Sequence, residues 1–323
     1  MDWICENSDL SKNQFSNLTM NGDFVELQRG EEGYLETPVI ETEQFTELTP
    51  SWNSRTDKES FIEYFIKLRV EDSWTPYVSY GIWSTDGNNI GVGNYYKDNI
   101  IKATDDRIFV LDNKHGDAVQ IKVVLKGKNP RLKLIAFSTD GGEDEPLEGN
   151  YLRTLENVPQ ISQLASGHKD AHVICSPTSM TMALKYHGKN VDLDQVTRGT
   201  LDSGNQAYGN WPQNVAFAGE QGMKAYTKKC KSINPVKNLI AKGTPVVASV
   251  CMKEKEMLDG AISAFPSGHL MVVVGFDIKD DIEYIVVNDP AANSNEEVRK
   301  YYKLDQWINV WRHYIYAITM NNE

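Results

Sequence analysis

The sequence predicts two domains, an all-β domain followed by an α+β domain, and three observations support this division. The chain has 323 residues, which at about 100–200 residues per domain corresponds to two domains. Residues 20–139 repeatedly alternate apolar and polar side chains, whereas residues 151–323 mix helical and strand patterns. Between them, residues 139–149 are rich in glycine and acidic side chains with almost nothing to bury, which is typical of a linker.

The charge distribution separates the same two regions. The formal net charge is −12, and residues 1–150 carry 15 Lys and Arg against 27 Asp and Glu, whereas residues 151–323 carry 18 of each. An acidic surface repels phosphate groups, so the first region is not expected to bind nucleic acid or anionic membranes. We therefore expect domains at 1–145 and 151–323.

The composition excludes several classes of protein. Apolar residues make up 40% of the chain and aromatic residues 10%, which is unlike a disordered protein. The longest apolar stretches, such as 270–275, are too short for a membrane-spanning helix. The first six residues have neither a basic start nor a long apolar run, so no secretory signal is predicted. On sequence alone the protein is expected in the cytoplasm, or outside the cell if a signal was removed.

The first domain is predicted to be a β-sandwich or jelly roll. Residues 61–70 place five apolar side chains on one face and mostly charged ones on the other, and residues 119–125 and 132–136 repeat the pattern. No stretch of this half has a convincing long helical period. Half-buried antiparallel strands without helices are typical of sandwiches and jelly rolls.

Aromatic residues of the first domain offer an alternative function. Aromatic rings favour strands, so most are expected to fill the core. The alternative is that some stack on sugar rings, in which case the chain could act as a carbohydrate-binding protein without catalysis. The residues concerned are Trp52, Trp74, Tyr77, Tyr80, Trp83, Tyr95 and Tyr96.

The second domain is predicted to contain both helices and strands. Ser176 followed by Pro177 indicates a helix start, and Gly188 indicates its end. Gly243 is expected to cap a second helix in the left-handed conformation. The remaining predicted elements are a helix at 234–242, strands at 246–250, 270–276 and 284–288, a helix at 304–311 and a strand at 314–319.

Among four widely spaced cysteines, Cys175 is the candidate nucleophile. No CxxC pair is present, which argues against a disulfide framework or a zinc ribbon. Cys175 lies at the predicted helix start, where unpaired N–H groups and the helix dipole favour the thiolate. The alternative is a small buried apolar residue. Cys251 is expected to pack inertly, Cys230 has neighbouring lysines but no visible base, and Cys5 lies near the terminus.

A predicted hairpin provides a base for this nucleophile and a residue to orient the base. His269 opens its first strand and Asp289 closes its second, twenty residues later. The midpoint lies in the predicted turn at 277–281, so the two residues are expected to face each other across the ladder. The carboxylate would then fix the imidazole tautomer and stabilise the imidazolium.

These residues and their surroundings resemble the C39-like cysteine peptidase family, which has a papain-like fold. The likeness covers about residues 155–320, and residues 20–139 are similar to the β-sandwich that precedes such domains in some bacterial members. Many members have glycine where this chain has Ser176, which adds bulk beside the oxyanion hole. The motifs that carry the resemblance are Val158–Gln163, Cys175–Leu184, Ser267–Leu270 and Val287–Ala292.

The resemblance implies a role for each site residue. Gln163 corresponds to the oxyanion-hole glutamine, with Gln160 as the second choice. Cys175 corresponds to the nucleophile, His269 to the base and Asp289 to the orienting residue. Cleavage of double-glycine leader peptides does not follow, because nothing here resembles the transporter segments of the members that perform it.

The expected function is therefore a cysteine-dependent hydrolase that acts on an amide bond, with a peptide as the expected substrate, through a thioacyl-enzyme. No metal or organic cofactor is needed. Acyl transfer to an amine is an alternative with the same residues. Another alternative is a metal site at His168, His172 and Cys175, whose spacing would share one face of a helix. Gly167, Lys169 and Asp170 indicate a loop there instead, and no fourth ligand is evident.

Overall fold

A computed structural model describes residues 1–85, 87, 89–92 and 96–320. The described chain is mostly β, with 43% strand and 19% helix. It divides into two compact units, one formed by residues 1–143 and 199–229 and the other by residues 144–198 and 230–323. Each unit is therefore formed by two separate stretches of the chain.

The elements follow one another in this order. The first fourteen strands are β1 (Asp2–Glu6), β2 (Gln14–Ser16), β3 (Leu18–Asn21), β4 (Phe24–Leu27), β5 (Glu32–Glu36), β6 (Ile40–Phe45), β7 (Glu47–Arg55), β8 (Phe61–Val70), β9 (Ser73–Trp74), β10 (Val78–Trp83), β11 (Ile101–Ala103), β12 (Ile108–Val110), β13 (Gly116–Lys126) and β14 (Arg131–Thr139). Then come α1 (Cys175–Tyr186), α2 (Leu193–Thr200), α3 (Trp211–Glu220), β15 (Lys224–Lys229), α4 (Asn234–Ala241), β16 (Val246–Met252), β17 (Phe265–Lys279), β18 (Ile282–Asn288), β19 (Arg299–Lys303), α5 (Leu304–Val310) and β20 (Trp311–Thr319). Short 3₁₀ turns lie at Asn7–Lys12, Leu164–Ser166, Lys255–Met257 and Asn295–Glu297.

The first unit contains two antiparallel sheets whose inner faces pack together. One has the order β11-β12-β7-β14-β4-β3 with β1 also on β14, and the other has the order β10-β8-β13-β5-β2 with β6 on β13 and β9 on β8. The predicted alternation in β8 is confirmed, because every second side chain is buried. Tyr64 of β8 stacks on Trp52 of the other sheet and donates a hydrogen bond to the carbonyl oxygen of Ala136 at 3.1 Å.

The aromatic residues of this unit divide between the core and the outer surface. Trp52, Tyr80 and Trp83 are each 1% exposed and fill the core. Tyr96 is half-buried, and Tyr95 lies outside the described residues. The other two of the predicted set, Trp74 and Tyr77, lie outside the core and flank one lysine.

The returning segment 199–229 is an integral part of the first unit. The side chain of Asn53 in β7 donates to the carbonyl of Ala225 at 2.7 Å and accepts from its N–H at 3.1 Å. Ser51 of the same strand accepts from the N–H of Thr227 at 2.9 Å. The predicted limits of 1–145 and 151–323 follow chain order and group this segment with the second domain, whereas its packing partners lie in the first unit.

The second unit is built on strands in the order β20-β16-β17-β18-β19. Helices α1 and α4 pack on β16 and β17, and α5 packs near β18 and β19. The buried hydroxyl of Ser179 in α1 donates to the carbonyl of Leu270 in β17 at 3.1 Å, which ties the first half of α1 to the residue after His269.

The predicted linker is exposed and irregular from residue 143 to residue 150. It is nevertheless held to α4, because Asn238 accepts from the N–H of Glu148 at 2.7 Å and donates to the carbonyl of Pro146 at 2.9 Å. Among the described residues, no helix combines the length and apolar character that crossing a bilayer requires.

Candidate active site

Cys175 is the first residue of α1 and is half-buried. The helix was predicted to start with Ser176 as its cap, but Ile174 precedes the first turn and its carbonyl accepts from the N–H of Thr178 at 3.0 Å. The cysteine therefore lies within the first turn, among N–H groups that have no acceptor inside the helix. The prediction that Cys175 occupies an activating helix terminus is compatible with this position.

The hydroxyl of Ser176 explains why the predicted cap is absent. It is fully buried and lies 2.9 Å from the hydroxyl of Tyr316 in β20. A side chain held in that core contact is not available to cap the helix. The bulk that serine adds relative to glycine is accommodated against Tyr316.

His269 connects the thiol to a buried carboxylate. Its Nε2 lies 2.7 Å from Oδ1 of Asp289, and the side chains of both residues are at most 3% exposed. The side chain of His269 also hydrogen-bonds with Cys175. Since Nε2 faces the carboxylate, Nδ1 is the ring nitrogen left for the sulfur.

The electrostatics of this pair favour the thiolate and the imidazolium. Burial disfavours both charges. For Cys175, the hydrogen bond and charge of His269 and the backbone N–H groups of Leu270 and Ser176 outweigh burial and lower the pKa of the thiol. For His269, the charge and hydrogen bond of Asp289, aided by Cys175, outweigh burial and raise the pKa to about 10.

A β-bulge brings His269 and Asp289 together. The pairing of β17 with β18 shifts by one residue at Val274. On the side nearer the turn Gly275 pairs with Val286, and on the other side Val272 pairs with Asn288. Extending this register places Asp289 diagonal to His269 on the same face. Without the extra residue the carboxylate would point to the opposite face, because a one-residue shift inverts every side chain. The two residues are therefore neighbours, but they are not the directly opposed pair that the hairpin symmetry predicted.

Gln163 lies beside the segment that follows Asp289. Its backbone N–H donates to the carbonyl of Pro290 at 2.8 Å, and the residue is 4% exposed. Its side-chain Oε1 is buried with no hydrogen-bond partner among the described residues. Gln160, the second choice for the oxyanion donor, is exposed.

Tyr302 of β19 is a neighbour of the site that the sequence did not reveal. Its hydroxyl lies 3.5 Å from Oδ2 of Asp289, and the residue is 1% exposed. The other carboxylate oxygen, Oδ1, accepts from His269 and from the N–H of Ala291. Two adjacent tyrosines, Tyr301 and Tyr302, give no alternation that could have shown which one points inward.

The alternative of a metal site at His168, His172 and Cys175 has no support in the arrangement of these residues. The loop before α1 is a series of turns, in which Nδ1 of His168 accepts from the N–H of Asp170 at 3.0 Å and His172 is exposed. Within the described part of the chain, no group of three or more His, Cys, Asp or Glu side chains is arranged to hold a metal ion.

The remaining cysteines lie in other settings. Cys5 and Cys230 are buried, and burial raises the pKa of Cys5. Cys251 is half-exposed, and its Sγ donates to the carbonyl of Pro266 at 3.3 Å.

Residues 155–318 match the Peptidase C39 like family, and residues 21–137 match the Peptidase C39 N-terminal domain. No curated protein matches the chain. One similar solved structure is a double glycine motif protease from an AMS/PCAT transporter in complex with the leader peptide, 19% identical, covering 55% of this chain and 100% of its own, with a TM-score of 0.35. Another is the peptidase domain of Streptococcus ComA, a bifunctional ABC transporter involved in a quorum sensing pathway, 12% identical, covering 51% of this chain and 100% of its own, with a TM-score of 0.36.

Proposed function

Because the chain belongs to the Peptidase C39 like family, we propose that it is a cysteine peptidase of papain-like fold that cleaves an amide bond in a peptide. The observation that carries the proposal is the hydrogen-bonded series from Cys175 through His269 to Asp289. A thiol with a lowered pKa, a histidine with a raised one and a buried carboxylate are the parts that nucleophilic catalysis by cysteine requires.

The proposed reaction has two halves. The thiolate of Cys175 attacks the carbonyl carbon, forming a C–S bond while an electron pair moves onto the carbonyl oxygen. The tetrahedral species then breaks its C–N bond, and the imidazolium of His269 gives its proton to the leaving amine. Water next attacks the thioacyl carbon while His269 takes its proton. Breakage of the C–S bond releases the carboxylic acid and restores the thiolate and imidazolium.

The proposed oxyanion donors are the side chain of Gln163 and the backbone N–H of Cys175. The N–H at the first helical position has no acceptor inside the helix, so it can donate to a developing negative charge. Gln163 is buried beside the Asp289 segment, whereas Gln160 is exposed, which favours Gln163 for this role.

Alkylation of the cysteines tests this proposal. Brief treatment with iodoacetamide near neutral pH, followed by peptide mapping, should label Cys175 faster than Cys5, Cys230 and Cys251. Cys5→Ala should leave that rate unchanged, because Cys5 lies in the first unit, whereas His269→Ala should reduce it strongly. Preferential labelling of Cys230 would contradict the assignment.

A peptide library, including peptides with and without adjacent glycines, then identifies the cleaved bond in the wild type, with Cys175→Ala as the inactive control.

Acyl transfer requires the same residues, so the acceptor decides between the two reactions. Adding a primary amine during cleavage separates them, because hydrolysis gives a free carboxylate and transfer gives a new amide.

For the first unit, the proposal is a β-sandwich of jelly-roll type that binds carbohydrate through aromatic rings outside the core. Trp74 is exposed and Tyr77 is half-buried. Nζ of Lys67 lies 5.0 Å from the ring centre of Trp74 and 4.8 Å from that of Tyr77, so the two rings lie on one surface. Titration with soluble polysaccharides should give binding that Trp74→Ala removes. Equal binding by the wild type and the variant would contradict it.

A further inference from the structure

A second irregularity in β17 brings an aromatic ring onto His269. Along the pairing of β16 with β17, Val250 faces His269 and Met252 faces Phe265. Two residues along β16 therefore span the same distance as four residues along β17. In a regular strand, residues four apart lie about 13 Å from each other. Here the ring centres of Phe265 and His269 are 4.0 Å apart and their planes differ by 12°.

Three local features hold the residues between these two rings. Gly268 has a φ of +106°, a conformation that side-chain-bearing residues rarely adopt. The guanidinium of Arg312 donates to the carbonyl of Ser267 at 3.4 Å. The thiol of Cys251 donates to the carbonyl of Pro266 at 3.3 Å. The segment is therefore a fixed bulge with contacts from β16 and β20, and we name residues 265–268 the β17 bulge.

The charged and titratable groups around the imidazole come from several elements. Cys175 approaches from α1, and Asp289 approaches from the end of β18. Tyr302 of β19 lies behind the carboxylate, and Arg312 of β20 lies beside Gly268. The two ring nitrogens of His269 are used by Asp289 and Cys175, which leaves the ring face as the surface that Phe265 contacts.

We infer that Phe265 is a positioning residue for His269, covering one face of the imidazole and stabilising the imidazolium form. This inference rests on the proposed function. The π face of an aromatic ring attracts a cation placed against it. A ring in this place also excludes water from one side of the ion pair, which strengthens the attraction between thiolate and imidazolium. Because Phe265 itself is half-buried and His269 is 2% exposed, the phenyl ring separates the imidazole from solvent.

The test compares variants that keep or remove the aromatic face. Phe265→Leu removes it, Phe265→Tyr keeps it, and Tyr284→Leu is the matched control, a half-buried aromatic residue of β18 outside the site. Two quantities are measured: the pH dependence of Cys175 alkylation, and the NMR titration of His269, assigned through the signal missing in His269→Asn. Thermal unfolding checks that each variant is folded, and Phe265→Met, of similar volume, replaces the leucine variant if that one is not.

For Phe265→Leu we expect the imidazolium to lose its proton at a pH lower by about one unit, the size of a partly desolvated cation–π contact. The alkylation midpoint of Cys175 should move up, because water admitted beside the imidazolium weakens its attraction for the thiolate. Phe265→Tyr and Tyr284→Leu should match the wild type.

Wild-type midpoints in Phe265→Leu would overturn the inference, as would an equal shift in Phe265→Tyr. An ordinary thiol midpoint for Cys175 in the wild type would instead contradict the proposed function itself, so the two failures are distinguishable.

Discussion

At the scale of the residue, the proton shared by Cys175 and His269 determines how the pair affects stability. In the unfolded chain between pH 6.5 and 9.0, the proton is on the thiol and the imidazole is neutral, because these are their ordinary pKa values. In the folded chain, at pH values above the lowered pKa of Cys175, the proton is on His269, whose pKa is raised to about 10. In the part of this interval that lies above the lowered pKa of Cys175, both states bind one proton, so the contribution of the pair to the free energy of unfolding should be constant there.

Cys175→Ala should make the free energy of unfolding depend on pH. His269 keeps a raised pKa through Asp289, so its contribution is fully present below pH 6.5 and is lost as the pH rises toward the folded pKa. Relative to the wild type, the free energy of unfolding should fall as the pH rises toward 9.0 through the part of this interval above the lowered pKa of Cys175, by at most about 1.4 kcal/mol per pH unit. Denaturant titrations at several pH values measure this. Curves parallel to those of the wild type would contradict the shared proton.

The hydroxyl of Tyr302 is expected to stabilise the buried carboxylate of Asp289. Tyr302→Phe removes the donor at 3.5 Å from Oδ2 and should lower the free energy of unfolding by about 1 kcal/mol. Tyr301→Phe is the matched control, because Tyr301 is adjacent in the chain and 43% exposed. Chemical denaturation of both variants provides the comparison. Equal effects of the two substitutions would show that the contact with Asp289 contributes nothing measurable.

At the scale of the element, the β17 bulge should depend on Gly268. A Cβ at this position would lie 3.0 Å from the guanidinium of Arg312, on a backbone with φ of +106°. Gly268→Ala should therefore lower the free energy of unfolding by more than the roughly 1–2 kcal/mol that a left-handed backbone costs alone, and should slow alkylation of Cys175 by displacing His269.

Gly243→Ala separates the cost of backbone strain from the displacement of His269. Its φ is +85°, but apart from the adjacent residues no atom in the described part of the chain lies within 4 Å of the added Cβ. It should lower stability through the backbone alone and leave the alkylation rate unchanged. If both alanine variants are alkylated at the same rate, the bulge does not position His269.

The same hairpin illustrates why part of the site could be predicted and part could not. His269 and Asp289 were identified as neighbours because strand ends and a polar turn are visible in the sequence. The extra residue at Val274 was not visible, because residues 270–276 are buried on both faces and show no alternation that would fix a register. The start of α1 was predicted two residues late for a similar reason, because a serine before a proline is typical of a helix cap unless its partner Tyr316, 140 residues away, is known.

At the scale of the whole molecule, period-two alternation in the sequence predicted that strands dominate the first half. It did not predict that residues 199–229 pack in the first unit. That segment is held by contacts such as Asn53 with Ala225, which are 172 residues apart and leave no local pattern. Sequence order therefore suggests two consecutive domains, and packing shows two units that each contain two separate stretches of chain.

A fragment of residues 151–323 should consequently be less stable than the same residues in the full chain. Cutting at residue 150 removes the partners of Ala225 and Thr227 and exposes apolar side chains of α3 such as Phe217, which is 5% exposed in the full chain. Asn53→Ala in the full chain should reproduce part of the loss, about 1–3 kcal/mol, because it leaves buried backbone groups without partners. Thermal unfolding of the three proteins measures this, and a fragment as stable as the full chain would refute it.

Genetic recombination at the exposed linker would separate residues 199–229 from the strands that they pack against. A gene that exchanged everything after residue 150 would join this segment to a foreign first half that lacks the matching amide of Asn53. Loss of the Asn53 amide would leave the buried N–H and carbonyl of Ala225 without partners. The two halves of the chain are therefore expected to be inherited together, although a single short stretch of exposed backbone joins them in sequence.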